Sequence, residues 1–128
     1  MELVDKLLLG RKLARMDTYL SQVREFSKIS ENEYKKNWKP QRIVERTLQI
    51  LVEEGTDIAN HIISDEGLRL HVGYADAFQV LMEKMANFRN VIIHQYEKID
   101  PAIVVSILHR HLGDFEKYKK AIIKYLSS

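Results

Sequence analysis

The sequence predicts an all-α fold, a bundle of four to five up-and-down helices. Apolar residues recur three or four positions apart through most of the 128-residue chain, which is the spacing of helices with one buried face. Only five Gly and two Pro occur, few for the turns of an all-β chain. With 45% hydrophobic and 30% charged residues, the chain can form both a core and a charged coat. We expect one domain over residues 1–128.

Four stretches carry the helical pattern. The first three are residues 2–26, 40–63 and 76–96. The fourth begins at Asp100 and Pro101, because Asp can cap free backbone N–H groups and Pro suits the first turn of a helix. The residues expected to be buried in the first, second and fourth helices are Leu9, Leu13, Met16, Leu20 and Val23; Val44, Leu48, Leu51, Gly55, Ile58, Ala59 and Ile62; and Val104, Leu108, Leu112, Phe115, Ile122 and Leu126.

The polar residues 30–38 are predicted to connect the first two helices, with Pro40 in the first turn of the second. Trp38 is expected to pack against that helix, and the alternative is that it stacks on an RNA base beside its neighbouring lysines. Gly55 is interpreted as a point of close helix approach. The lysines of the fourth helix are expected mainly on the side opposite its apolar stripe.

Composition narrows the functional classes. The chain has no Cys, which excludes disulfides, thiolate metal ligands and Cys nucleophiles. A net charge of +2 does not by itself predict nucleic-acid binding, although the basic clusters at residues 35–39 and 117–120 are either phosphate contacts or solvated helix ends. The N-terminus lacks the apolar stretch of a signal peptide, and no run is long enough to span a membrane. We expect a cytoplasmic protein.

A polar face on the third helix is the main candidate site. On a regular helix, Asn90 and His94 project together at about 100° and 140° from Arg89, away from the predicted apolar face. Ile93 lies between Arg89 and Asn90, and an exposed Ile among polar residues is explained most simply if a second chain covers it. Arg89 and His94 diverge by about 140°, so a kink or a two-fold homodimer is needed to bring them together.

The pattern of Arg89, Asn90, His94 and Tyr96 resembles the Arg-x4-His-x-Tyr motif of HepT toxins in the HEPN superfamily. The resemblance extends less specifically to the helix lengths and to residues 56–62. It implies the HEPN helical bundle. It also implies a toxin that cleaves RNA without a metal or other cofactor, by attack of the ribose 2′-OH on the adjacent phosphate.

The residue types suit that reaction. His94 can accept or donate a proton near neutral pH, and Arg89 can stabilise the charge that develops on phosphorus, so these two are the expected catalytic residues. Asn90 is expected to support them by orienting His94 or holding a phosphate oxygen. Asp57 lies four residues before His61 on the second helix, and the two are either a supporting pair or an ordinary surface pair.

The resemblance also implies a partner. Tyr96 corresponds to the tyrosine that an MNT-type nucleotidyltransferase antitoxin adenylylates, a reaction in which only the transferase uses ATP. The alternative functions are a noncatalytic nucleotide- or substrate-binding partner of such a transferase, and a plain helical oligomerisation module. His109 and His111 are two residues apart and so on different helix faces, which favours surface residues over a shared metal site.

Overall fold

The fold is seen in a computed structural model that describes residues 3–66, 83, 87 and 100–127. Its helices are α1 (Leu3–Arg24), α2 (Glu31–Lys36), α3 (Trp38–Glu66), α4 (Pro101–Ser106), a π-helical segment (Ile107–His111) and α5 (Leu112–Ser127). No strand occurs within these ranges, which confirms the all-α prediction. Within the same ranges, the search for a helix long and apolar enough to cross a bilayer finds none.

Ion pairs show how the long helices run. Lys12 and Arg15 of α1 reach Asp57 and Glu54 of α3, so a later position on α1 meets an earlier one on α3. The two helices are therefore antiparallel. Arg24 of α1 likewise pairs with Glu116 of α5 at 3.0 Å, and Asp17 pairs with Lys119 three residues further along α5. Helices α3 and α5 thus both run against α1, as in an up-and-down bundle.

The core is built from the predicted apolar faces. All the stripe residues predicted for the first, second and fourth helices are buried, except that Leu126 is half-buried. The same core contains four residues that lie beside those stripes, namely Val52, Val105, Ile107 and Tyr118. Removing this surface from water supplies most of the driving force that holds the helices together.

The segment after α1 departs from the prediction. Residues 31–36 form helix α2 and not an irregular connection. The Ser30 hydroxyl oxygen accepts from the Glu33 backbone N–H at 3.1 Å and also donates to the Glu33 carboxylate. Ser followed three residues later by Glu is a helix-start signal in the sequence itself. Tyr34, 1% exposed, anchors this short helix in the core.

Side-chain hydrogen bonds hold the corner between α2 and α3. The side-chain amide of Gln41 donates to the carbonyl oxygens of Tyr34 at 2.7 Å and Lys35 at 3.0 Å, and the Asn37 amide donates to that of Glu33. These bonds satisfy carbonyls that the end of a helix leaves free. Helix α3 consequently begins at Trp38, two residues before Pro40.

A second departure lies in the fourth predicted helix. Asp100 caps it as expected, accepting from the Ala102 N–H at 3.0 Å, but residues 107–111 are π-helical. The buried residues Val104, Leu108 and Leu112 are spaced by four, and on a regular helix each such step overshoots a full turn by about 40°. The wider π turn accommodates the extra residue and keeps these side chains on the core side.

Tyr118 joins α5 to α3. Its hydroxyl donates to the carbonyl oxygen of Gly55 at 2.5 Å, and close approach of two helices at Gly55 stays a prediction. Burial raises the pKa of Tyr118 far above its usual value, so the hydroxyl keeps its proton. Tyr118 follows Phe115 by three residues and precedes Ile122 by four, so its burial was readable from the sequence.

Replacing Tyr118 with Phe is expected to lower the free energy of unfolding by about 1 kcal/mol, the net contribution of one buried hydrogen bond. Urea unfolding followed by circular dichroism measures the change. Tyr19→Phe is the matched control, because Tyr19 is half-buried and its hydroxyl makes no hydrogen bond with the described residues. Equal losses in the two variants would contradict the role of the Tyr118 hydroxyl.

Candidate active site

The predicted catalytic and modification residues, Arg89, Asn90, His94 and Tyr96, lie outside the described residues. Their roles therefore stay predictions. Around the site, the structure describes Asp57 on α3 and only two residues of the predicted third helix.

The two positions on the predicted third helix are Glu83 and Asn87. Both are helical and both are exposed. On a regular helix they project at about 120° and 160° from Arg89, which is the same face that the sequence assigns to Asn90 and His94. Both positions are therefore exposed, in agreement with the polar side predicted for this helix.

Asp57 takes part in an ion-pair cluster between α1 and α3. It pairs with Lys12, which also lies 3.8 Å from Glu54, and Arg15 contacts Glu54 at 3.2 Å. The side chain of Glu54 is 12% exposed, whereas that of Asp57 is 47% exposed. Asp57 thus has a structural contact in α1, while about half of its side chain stays exposed to solvent. Its support of the catalytic residues stays a prediction.

The histidines of the described helices have separate surroundings. His61 Nε2 lies 4.0 Å from an Asp57 oxygen, the loose geometry of a surface pair. His109 Nε2 is 2.6 Å from the carbonyl oxygen of Ile29, whereas His111 Nδ1 is 3.0 Å from the carboxylate of Asp114. As predicted, His109 and His111 point to different partners. Among the described residues, no three His, Asp or Glu side chains are grouped so that they could hold a metal ion.

Lys119 is a buried cation that the sequence did not reveal. Its stem and ammonium are 7% exposed, although the lysines of this helix were predicted to lie opposite the core. Burial lowers its pKa, and the nearby charge of Lys120 adds to the effect. Asp17 and Glu116, the latter at 3.5 Å, partner the charge. The other lysines of α5, Lys117, Lys120 and Lys124, are exposed as predicted, and Lys119 is the exception because its stem packs where α5 meets α1.

Comparison with known proteins places this architecture. The model of the family "Ribonuclease HepT-like" matches residues 16–122, a range that begins within α1 and ends within α5. This chain belongs to the HepT-like family. The match spans the described helices and also the predicted third helix with its Arg-x4-His-x-Tyr motif.

Two curated relatives extend the match. The tRNA nuclease HepT of Aphanizomenon flos-aquae is 26% identical, over 96% of this chain and 92% of its own length. The mRNA nuclease HepT of Shewanella oneidensis is 30% identical, over 68% of this chain and 75% of its own length. The similarity therefore covers most of each protein and is not confined to the motif.

Solved structures show the same fold. A tri-AMPylated Shewanella oneidensis HEPN toxin in complex with MNT antitoxin superposes with a TM-score of 0.69, at 23% identity, covering 98% of this chain and 99% of that one. A toxin-antitoxin complex with AMP-PNP gives 0.68 at 22% identity, with 95% and 99% covered. The expected HEPN bundle is confirmed for this HepT-like chain.

Proposed function

We propose that this chain is an endoribonuclease and the toxin of a toxin-antitoxin pair. The observation that carries the proposal is membership of the HepT-like family across residues 16–122. Two relatives that match over most of their length are named nucleases, one of tRNA and one of mRNA. The substrate class is accordingly RNA.

In the proposed reaction the ribose 2′-OH attacks the neighbouring phosphorus and the bond from phosphorus to the 5′-oxygen breaks. One imidazole takes the 2′-OH proton, and another acid gives a proton to the leaving 5′-oxygen. The products are a 2′,3′-cyclic phosphate end and a 5′-hydroxyl end. His94 supplies the proton transfers and Arg89 stabilises the charge on phosphorus, with Asn90 and Asp57 in support.

The proposed site is composite and lies at a homodimer interface. His94 and Arg89 diverge by about 140° on one regular helix, so either a kink or a second protomer is needed to bring them together, and we propose the second protomer. The exposure of Glu83 and Asn87, on the same predicted face, is compatible with such an interface. Two histidines from two protomers could then divide the acid and base roles.

The experiment is cleavage of a mixed pool of tRNA and mRNA by the purified chain in the presence of EDTA. We expect cleavage to persist and the products to carry 2′,3′-cyclic phosphate. Loss of all cleavage with EDTA, restored by a divalent cation, would contradict the metal-independent mechanism. Tight nucleotide binding without any cleavage would instead support the alternative, a noncatalytic partner of a nucleotidyltransferase.

The proposed partner is an MNT-type nucleotidyltransferase encoded with this chain, which transfers AMP from ATP to Tyr96. The phosphate would place negative charge and bulk two residues from His94 and so block the site. In the solved structure, the HEPN toxin of Shewanella oneidensis is tri-AMPylated and in complex with MNT antitoxin. This modification was seen in the relative, and it supports the proposal that Tyr96 of this chain is modified in the same way.

Incubation with ATP and the cognate transferase is expected to add one or more AMP groups to the wild-type chain, and Tyr96→Phe is expected to abolish the first addition. Intact-mass spectrometry measures both. Tyr19→Phe should be modified like the wild type, because Tyr19 lies on α1 and its ring is half-buried against the core. A normal mass gain in Tyr96→Phe would exclude Tyr96 as the primary acceptor.

A further inference from the structure

An exposed aromatic residue stands at the start of α3. Trp38 is 66% exposed, the highest exposure among the large hydrophobic residues described, so the prediction that it packs against its helix is wrong. The apolar positions that pack in this region are instead Tyr34 and Val44, both buried. Leaving a Trp ring in water is unfavourable, and such exposure is a common mark of a binding surface.

The ring belongs to a continuous basic face, which we call the Trp38 face. On α3 it consists of five exposed residues within an arc of about 140°: Trp38, Lys39, Arg42, Ile43 and Arg46. The ammonium nitrogen of Lys39 lies 5.8 Å from the centre of the Trp38 ring. This face therefore combines one flat aromatic ring with three cations and no acid.

The nearby acidic groups are largely engaged elsewhere. Glu31 pairs with Lys35 at 3.0 Å, and Glu33 forms the cap of α2 with Ser30. Burial raises the pKa of Glu45, which lies at the edge of the Trp38 face next to the buried Tyr34. Glu45 also interacts with Arg42, so one of the three cations of the Trp38 face is partly compensated, and Lys39 and Arg46 keep the face positive although the whole chain is only +2.

The Trp38 face is also held in place. The Gln41 and Asn37 side chains tie the end of α2 to the start of α3, and Tyr34 anchors α2 in the core. An aromatic ring presented from a fixed corner loses little conformational freedom when a planar ligand stacks on it.

We propose that the Trp38 face binds single-stranded RNA, with a base stacked on Trp38 and backbone phosphates paired with Lys39, Arg42 and the adjoining Lys36. Stacking on an aromatic ring with flanking cations is how proteins hold single strands without reading their sequence. This inference rests on the proposed function, because it assigns the Trp38 face to the RNA substrate, and it adds a contact outside the Arg89 and His94 motif.

The test uses the single Trp of the chain as a probe at the proposed contact. Full-length protein with His94→Ala, which should prevent cleavage, is titrated with a single-stranded RNA oligonucleotide at low salt. We expect the Trp38 fluorescence to be quenched as the RNA binds. Fluorescence anisotropy of labelled RNA should show about a tenfold weaker Kd for Trp38→Ala and a smaller loss for Trp38→Phe.

The cationic contacts have their own readout. Replacing Lys36 and Lys39 together with Ala should reduce the slope of log Kd against log salt by about 1.4, the value for two phosphate contacts on a single strand. Lys6→Ala is the matched control, because Lys6 is exposed on α1 and the antiparallel pairing puts it at the other end of α3 from Trp38. The control should leave both Kd and slope unchanged.

The outcomes separate this inference from the proposed function. RNA cleavage without quenching of Trp38, and with unchanged Kd in Trp38→Ala, would overturn the Trp38 face as an RNA contact and leave the ribonuclease assignment intact. If RNA quenches Trp38 and Trp38→Ala weakens binding, but the wild-type chain never cleaves RNA, the Trp38 face is supported as an RNA contact and the ribonuclease assignment is rejected. If Trp38→Ala changes only the oligomeric state in light scattering or the affinity for the transferase, the Trp38 face is a protein interface and the inference is wrong.

Discussion

Replacing His94 with Ala is expected to slow RNA cleavage by about 10² to 10⁴, and Arg89→Ala by about 10² to 10³. His94 would carry the proton whose transfer limits attack of the 2′-OH, and Arg89 would stabilise charge that exists mainly in the transition state. Both losses should appear in the single-turnover rate at saturating enzyme. Wild-type rates in either variant would reject the proposed roles.

A mixture of the two inactive variants tests whether the site is composite. In the proposed homodimer, refolding Arg89→Ala with His94→Ala would give mixed dimers in which one intact Arg and one intact His can meet across the interface. We expect cleavage well above that of either variant alone. His109→Ala is the control, because His109 lies in the π-helical segment, outside the motif, where its Nε2 contacts the carbonyl oxygen of Ile29, and it should keep most of the activity. No recovery in the mixture would contradict a site that needs only one Arg and one His from different protomers, and would favour a site that needs the histidines of both protomers.

Phe115→Ala is expected to lower the free energy of unfolding by about 3 to 5 kcal/mol, a large share of the roughly 5 to 15 kcal/mol of a typical domain. Phe115 is fully buried on α5, one residue before Glu116, which pairs with Arg24 of α1. Removing the ring leaves a cavity that the packed helices can fill only in part. Urea unfolding at fixed protein concentration measures the loss.

Ile123→Ala supplies the matched control on the same helix. Ile123 is 50% exposed, so the change should cost no more than about 0.5 kcal/mol. The slope of unfolding free energy against urea should be the same in both variants, because the surface exposed on unfolding hardly changes. A loss below about 1 kcal/mol for Phe115→Ala would mean that α5 is not packed as the structure has it.

Much of the fold was predictable because its signals are local and repeated. The spacing of Leu9, Leu13 and Met16 predicted the buried face of α1, and the Asp100 cap with Pro101 gave the start of α4. Helix α2 was missed although the Ser30 and Glu33 signal was present. The π turn at residues 107–111 was also missed, because four-residue spacing is compatible with both a regular and a widened helix.

The candidate site was predicted from one short motif, and the family match across residues 16–122 agrees with that assignment of family. Asp57 could be named from the sequence as a carboxylate near His61. Its contact with Lys12 could not, because that contact depends on how α1 lies against α3. A pair of residues 45 positions apart in the chain leaves no periodic signal that a single sequence can show.

The sequence by itself determined the helical class, the buried stripes and the family motif, since each follows from the spacing of residue types along one helix. Only the tertiary structure decided that Trp38 is exposed while Tyr34 is buried, and that Lys119 lies at the junction of α5 with α1. Those outcomes depend on which helices meet and at what distance. Aromatic residues and long residues such as Lys occur both buried and at the surface, so the residue type alone does not predict which of the two it will be.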